Sequence, residues 1–528
     1  MGRPDSATSS DAAGSLGSAG SSDAAGSSDA AGSQLRLPPE MSRSPASQTM
    51  RWFFRPLSFM QEGRRRYGEI FGVRFLTFTT PMYLISDPVA IKTVYSEPAN
   101  TLPPGRELQL EPLLGPRSIL LQEGSEHLAR RKLMLPPFHG ERMRSYEAVV
   151  REAITTEMES WRPGEPFPIH PRMQSVTLEV ILRAVFGVVD GPRYERLRAV
   201  LGRLLDQVAS PGTQLIGLLS RRPTEYLQQR AQATGATPLD RLGGVATRAS
   251  LWVKLRELLD EVDRELYAEI ADHREDPGLA ERTDILSMLL SARFADGEGM
   301  SDAELRDQLM TLLLAGHETT ATALAWTFDM LLRHPAALAQ LREEVDAAGG
   351  AAATAGEAAG AADAGASAGS EGASGDEYLR ATISEALRLR PVIPIAGRVL
   401  AEETEIDGYR LPAGTNVAPS IWMAHTRQDV YPDPFAFRPE RFLDSPPDTY
   451  AWIPFGGGVR RCLGAAFAEF EMRIVIGEVL RNFNLNPVAG TDRGERVGRR
   501  NITLSPRDGT PLTVTRRAAV LATPPIPA

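Results

Sequence analysis

The sequence predicts a mainly α-helical fold with small β-sheets, an α+β arrangement. Helical apolar spacing fills most of the chain, while strand-like runs are few and short. Its 528 residues, 42% hydrophobic and 24% charged, suffice to bury a large core.

Residues 1–33 are mostly Ser, Ala, Gly and Asp, with almost nothing apolar to bury, and are expected to form a disordered low-complexity tail. The remainder, 34–528, reads as one domain. Short strand-like pieces stand at 71–75 and 83–85. The clearest helix is 301–333, where Ser301 and Glu304 form a capping-box signal and His334-Pro335 supplies a stop. At 1.5 Å rise per residue it spans roughly 50 Å, enough to cross a domain. A second low-complexity stretch near 347–375 reads as a surface insertion, partly helical if its alanines prevail. A shorter helix precedes Pro391, strand-like residues follow at 405–411, a helix-forming run covers 465–480, and a last strand-like piece lies at 512–515.

A formal net charge of -9 argues against a nucleic-acid binder that relies on a broad basic surface. The N-terminus carries no basic region followed by an apolar stretch, and no run of about 18 apolar residues occurs. The expectation is a cytoplasmic protein without a membrane anchor. Cys462 is the single thiol, which excludes an intrachain disulfide, a multi-cysteine zinc site and an ordinary cysteine-bound iron–sulfur cluster. Three roles stay open for it: buried small hydrophobe, nucleophile or single metal ligand.

Cys462 lies in Phe455-Gly-Gly-Gly-Val-Arg-Arg-Cys462-Leu-Gly464, directly before the 465–480 run. A thiolate there sits near a helix N-terminus, whose N–H groups stabilise negative charge, and the glycines let the main chain approach a flat cofactor. Arg460 and Arg461 suit a carboxylate-bearing ligand or an acidic partner. Alternatively the glycines only make a turn and the cysteine is merely buried. Phe455, Gly458, Arg460, Cys462 and Gly464 fill the pattern F-x-x-G-x-R-x-C-x-G, and this segment resembles the haem-binding loop of the cytochrome P450 family.

Two other constellations follow in that family's order. Ala315-Gly-His-Glu-Thr-Thr320 lies midway along the long helix, where a Thr319 hydroxyl is able to bond the Ala315 carbonyl and open the helix locally. On its own the segment fits close helix packing equally well. It resembles the family's oxygen-activation motif, and the zinc-protease pattern H-E-x-x-H fails because position 321 is Ala321. Glu385 and Arg388, at i and i+3, share a helical face and by themselves read as an ordinary ion pair. With Pro439-Glu-Arg441-Phe they resemble the family's E-x-x-R and P-E-R-F pair, which implies a buried structural network of Glu385, Arg388 and Arg441.

The resemblance implies the cytochrome P450 fold, with a long central helix over haem b. It makes Cys462 the axial metal ligand through its thiolate, which favours O–O cleavage. O2 becomes the co-substrate, with Thr319 and Glu318 managing protons beside Ala315. His127, Arg131, Arg398 and Arg460 become partners of the haem propionates. The implied reaction is hydroxylation or epoxidation of a hydrophobic small molecule of fatty acid, terpenoid, steroid or polyketide type. Substrate-facing segments are expected at 108–120, 309–319, 392–396 and 502–504. Electrons are expected from a ferredoxin or flavodoxin with its reductase, docking on Arg130, Lys132 and Arg461. The rival readings are a haem-thiolate peroxygenase or isomerase and, more remotely, a non-catalytic haem-binding scaffold.

Overall fold

The computed structural model describes residues 36–76, 78, 80–96, 107–140, 142–187, 191–209, 244–359, 375–443, 447–491, 494–500 and 502–517, with backbone alone at 107–109, 209, 244–252 and 350–359. The expected tail at 1–33 lies outside the described residues.

Helices in chain order are α1 (Pro45–Phe54), α2 (Pro56–Tyr67), α3 (Pro88–Ser96), α4 (Glu107–Leu114), α5 (Gly124–Met134), α6 (Arg142–Ser145), α7 (Glu147–Glu159), α8 (Ile169–Phe186) and α9 (Pro192–Ala209). They continue as α10 (Gly244–Glu275), α11 (Ile285–Ser291), α12 (Asp302–Arg333), α13 (Pro335–Ala359), α14 (Glu377–Leu389), α15 (Ile421–His425) and α16 (Ala465–Asn482). The expected excess of helix over strand is observed. Helix α13 runs into the Ala-rich insertion as far as Ala359, in line with alanine's helical preference. Residues 360–374 lie outside the described residues.

Among the described residues the strands form four small sheets. The largest has the order β1 (Ile70–Val73), β2 (Met82–Ile85), β7 (Asn416–Pro419), β4 (Arg398–Val399), with β2 and β7 parallel. A three-stranded sheet joins β3 (Phe167–Pro168), β11 (Pro511–Arg516) and β8 (Phe483–Pro487). The piece read as one strand at 405–411 is a hairpin, β5 (Thr404–Ile406) with β6 (Tyr409–Leu411), because Asp407 and Gly408 take positive φ and turn the chain. A second hairpin pairs β9 (Val497–Arg500) with β10 (Thr503–Pro506).

Helix α12 is the axis of the molecule. Its Ser301 N-cap and Glu304 complete the capping box, and it remains α-helical over all 32 residues, so no local opening accompanies Thr319. Leu305, Leu309, Leu313, Leu324 and Phe328 are buried in one large core with residues of α8, α14 and α16. Burial of each such side chain contributes about 1.5–3 kcal/mol. Three buried polar residues on the same helix bind the chain after α4: Asp307 Oδ2 accepts from Arg117 N–H at 2.9 Å, Gln308 Oε1 accepts from Ile119 N–H at 3.0 Å, and Thr311 pairs with Ser118 at 2.7 Å. No helix among the described residues is long and apolar enough to cross a membrane.

Candidate active site

The chain enters the cysteine loop from a rigid polar anchor. Glu385 and Arg388 on α14 are completely buried and form two charge-assisted hydrogen bonds, Arg388 Nε to Glu385 Oε2 at 2.6 Å and Nη2 to Oε1 at 2.8 Å. Glu385 Oε1 also accepts from Arg441 Nε at 3.1 Å and Arg438 N–H at 2.8 Å. Arg388 donates onward to the carbonyls of His425 and Pro434, at 2.8 and 2.7 Å.

His425 is a member of this anchor that no spacing in the sequence announces. Its Nε2 accepts the Ile453 N–H at 2.8 Å, so its Nδ1 carries the proton and donates to Arg388 O at 3.2 Å. Burial holds the ring neutral, pulling its pKa down to about 3. The imidazole thus ties the arginine helix to a residue just ahead of Phe455.

In the loop itself, Gly456 and Gly458 have positive φ, +70° and +65°, which a residue with Cβ adopts at a cost. Gly457 and Gly458 answer to Tyr95 of α3: a Cβ on either would come within 2.4 or 2.5 Å of Tyr95 atoms. These glycines therefore admit a tyrosine, where the sequence suggested a flat cofactor. At Gly464 an added Cβ would meet no protein atom within 4 Å, so the loop is clear there.

Cys462 donates its backbone N–H to Phe455 O at 2.9 Å, closing the loop, and α16 starts just after Gly464. Its side chain is exposed, yet burial is the largest influence on the thiol and pushes it up. Both hold for a sulfur facing a hollow enclosed by protein. The Gly464 N–H, Arg461 and Arg131 pull the other way without prevailing. Helix N-terminus and arginines alone do not outweigh burial; a metal cation bound at the sulfur would supply the charge that favours the thiolate.

Near the sulfur, Arg131 belongs to a basic cluster with His127, Arg398 and Arg460. Burial first, then the charges of Arg460, Arg131 and Arg398, depress His127 to about 4. Burial also lowers Arg131 and Arg398. No carboxylate pairs with Arg131 or Arg398 among the described residues, and Arg398 Nε is buried without a hydrogen-bond partner. Arg460 donates Nη2 to Gln122 O at 2.7 Å. Uncompensated buried cations are costly, and this arrangement fits a cofactor carrying carboxylates. Sulfur, cleared loop and cationic rim together fit haem.

The second wall is the middle of α12. Thr319 Oγ1 donates to Ala315 O at 2.6 Å, the bond expected from the sequence. Ala315 is exposed although its helix is otherwise deeply buried, so this face also opens on a hollow. Gly316 and His317 face α8: a Cβ on Gly316 would lie 3.2 Å from Ile181, and His317 Nδ1 pairs with Thr177 Oγ1 at 3.1 Å. Both meanings of the segment are thus realised, on different faces. Glu318 is held by α8 and β9, and burial pushes its carboxyl up. Its side chains share no hydrogen bond or ion pair with the cysteine loop among the described residues.

Two expectations need correction. Arg130 does not offer a docking charge: only 12% of its side chain is exposed, and it pairs with Glu304 of the capping box at 2.6 Å. Lys132 and Arg461 do reach the surface. Leu309 and Leu313 are core residues, because their face of α12 packs inward.

The chain matches the family model "Cytochrome P450" over residues 38–235 and 245–510. It is 39% identical to cytochrome P450 135B1 of Mycobacterium bovis, over 92% of this chain and 93% of the relative. It is 38% identical to cytochrome P450 137 of Mycobacterium tuberculosis, over 84% of this chain and 83% of the relative. Among solved structures, retinoic acid-bound cyanobacterial CYP120A1 shares the fold, with a TM-score of 0.71, 23% identity and coverage of 92% of this chain and 100% of that one. The heme domain of cytochrome P450DA superposes equally, at TM-score 0.71, 22% identity and coverage of 92% and 99%. With a cysteine loop, a cationic rim and a family match spanning most of its length, the chain belongs to the cytochrome P450 family, the haem-thiolate monooxygenases that hold haem b and use O2.

Proposed function

We propose that this protein hydroxylates or epoxidises a hydrophobic small molecule of fatty acid, terpenoid, steroid or polyketide type, with electrons from a ferredoxin or flavodoxin and its reductase. The observation that carries the reading is the gathering of four basic side chains, His127, Arg131, Arg398 and Arg460, near Cys462, with Arg131 and Arg398 lacking a carboxylate partner among the described residues.

In this reading Cys462 is the metal ligand and the four basic residues receive the two propionates, with Phe455, Gly458 and Gly464 shaping the loop. Bound haem supplies the activation of O2. The chain's own residues provide the rest: Thr319 offers a hydroxyl above Ala315, and Glu318, whose burial raises its affinity for a proton, hands protons inward. Glu385, Arg388 and Arg441 keep the loop in place. Ile502 at the β9–β10 turn and partly buried Leu312 and Leu314 on α12 provide apolar surface for substrate. The exposed Lys132 and Arg461 suit an acidic electron donor. A reducing cytoplasm, which keeps a lone thiol from oxidation, completes the reading.

The test is a reduced, carbon monoxide-treated absorption spectrum followed by product analysis with reductase and O2. Retinoic acid, bound by one structural neighbour, and a steroid panel are suitable first ligands. A thiolate-type spectrum, product dependent on O2, and loss of product in Thr319→Ala are expected. A histidine-type spectrum, or equal turnover with peroxide and no electron donor, would reject the monooxygenase reading.

A further inference from the structure

Tyr95, near the end of α3, carries a polar group that the fold leaves unanswered. Only 3% of the residue is exposed, and its hydroxyl has no hydrogen-bond partner among the described residues. A buried hydroxyl without a partner is costly, and native interiors keep few of them.

The ring itself is firmly held. It belongs to an apolar cluster with Ile91, Val94, Ile421 and Ile453. It also packs on the cysteine loop, where a Cβ on Gly457 would stand 2.4 Å from its Cδ2 and a Cβ on Gly456 would stand 4.0 Å from the hydroxyl. The phenol oxygen therefore lies beside the main chain that leads to Cys462.

The same ring carries Arg398, whose Cζ is 5.6 Å from the ring centroid. Arg398 is 6% exposed and spends one Nη1 donor on Gly397 O at 2.8 Å, while its Nε is as unpartnered as the phenol. Burial pushes the Tyr95 hydroxyl up to about 12, against a smaller downward pull from Arg398, so the oxygen keeps its proton and serves as a donor. Two adjoining buried donors, one cationic and one neutral, thus lack an acceptor. A carboxylate, with two oxygens, supplies acceptors for both.

We propose that Tyr95 is a haem-binding residue whose hydroxyl donates to the propionate that Arg398 receives, the two side chains sharing one carboxylate. Gly457 then takes part in cofactor binding indirectly, through the ring it admits. The inference rests on the reading of Arg398 as a propionate partner.

The experiment compares full-length holoprotein of the parent, Tyr95→Phe, Arg398→Gln and the double variant, reading haem transfer to an excess of scavenger protein and the propionate bending band in the resonance Raman spectrum. Tyr95→Phe keeps the ring and its packing and loses only the hydroxyl, and a parent-like carbon monoxide spectrum checks that the cysteine loop is intact. It should release haem about five- to tenfold faster and shift the propionate band. Because both donors act on one carboxylate, the effect of the double variant should differ from the product of the single effects by about twofold or more. A Tyr95→Phe variant that releases haem like the parent with an unmoved band, while Arg398→Gln sheds haem, overturns the role of Tyr95 and leaves its hydroxyl to a buried water. Strictly multiplicative effects overturn the shared carboxylate. An Arg398→Gln variant that retains haem like the parent overturns instead the reading of Arg398 on which the inference stands.

Discussion

Two buried groups of basic side chains flank the cysteine loop, and they are built on opposite principles. In the anchor, Arg388 and Arg441 share the carboxylate of Glu385, and every donor that Arg388 turns inward finds an acceptor. In the rim, Arg131 and Arg398 have no carboxylate among the described residues, and burial first, then the charges of Arg460, Arg131 and Arg398, keeps His127 neutral. A compensated cluster holds the chain in one conformation. An uncompensated one stores electrostatic cost that a ligand relieves, which is how a protein interior marks the place of a missing anion.

This contrast is sharpest where one charge is removed from each group. Glu385→Ala leaves Arg388 buried beside a void and should cost about 3–5 kcal/mol, seen as a lowered denaturation midpoint together with poor haem incorporation. A variant that melts like the parent would break the comparison. Arg398→Gln should act in the opposite sense on the apoprotein, leaving its stability equal or higher, while weakening haem retention about tenfold through a lost charge-assisted contact worth about 1.5 kcal/mol. Apoprotein melting and haem transfer to a scavenger protein measure the two effects separately. Loss of apoprotein stability in that variant would mean that the rim is scaffold after all.

The smallest effect concerns pH. His127 titrates near 4 in the folded protein against 6.5 ordinarily. Between those values the unfolded chain binds the extra proton, so the apoprotein is least perturbed above pH 6.5 and loses stability as pH falls toward 4. His127→Gln should flatten that slope in apoprotein melts, and haem should flatten it too by bringing negative charge to the rim. A slope identical in parent and variant would remove His127 from the cluster.

Much of this was legible in the residues. Ser301 and Glu304 marked the start of α12 because a capping box is a local arrangement, complete within four residues. The Thr319 bond to Ala315 was legible for the same reason, both partners lying on one helical turn. His425 was not, since its two partners, Arg388 O and Ile453 N–H, come from distant parts of the chain. Arg130 looked like surface charge until folding brought Glu304 to it. Gly457 looked like space for a cofactor until Tyr95 filled it.

By itself, then, the amino-acid order determined the helical class, the long central helix, the lone thiol before a helix and the types of side chain that a thiolate-ligated haem requires. Tertiary structure alone decided which cations stay without an anion, which face of α12 opens beside Ala315, and that Arg500 reaches Glu318. Local patterns are set by hydrogen bonds and apolar periods within a few residues, whereas burial and charge compensation depend on groups hundreds of positions apart becoming neighbours.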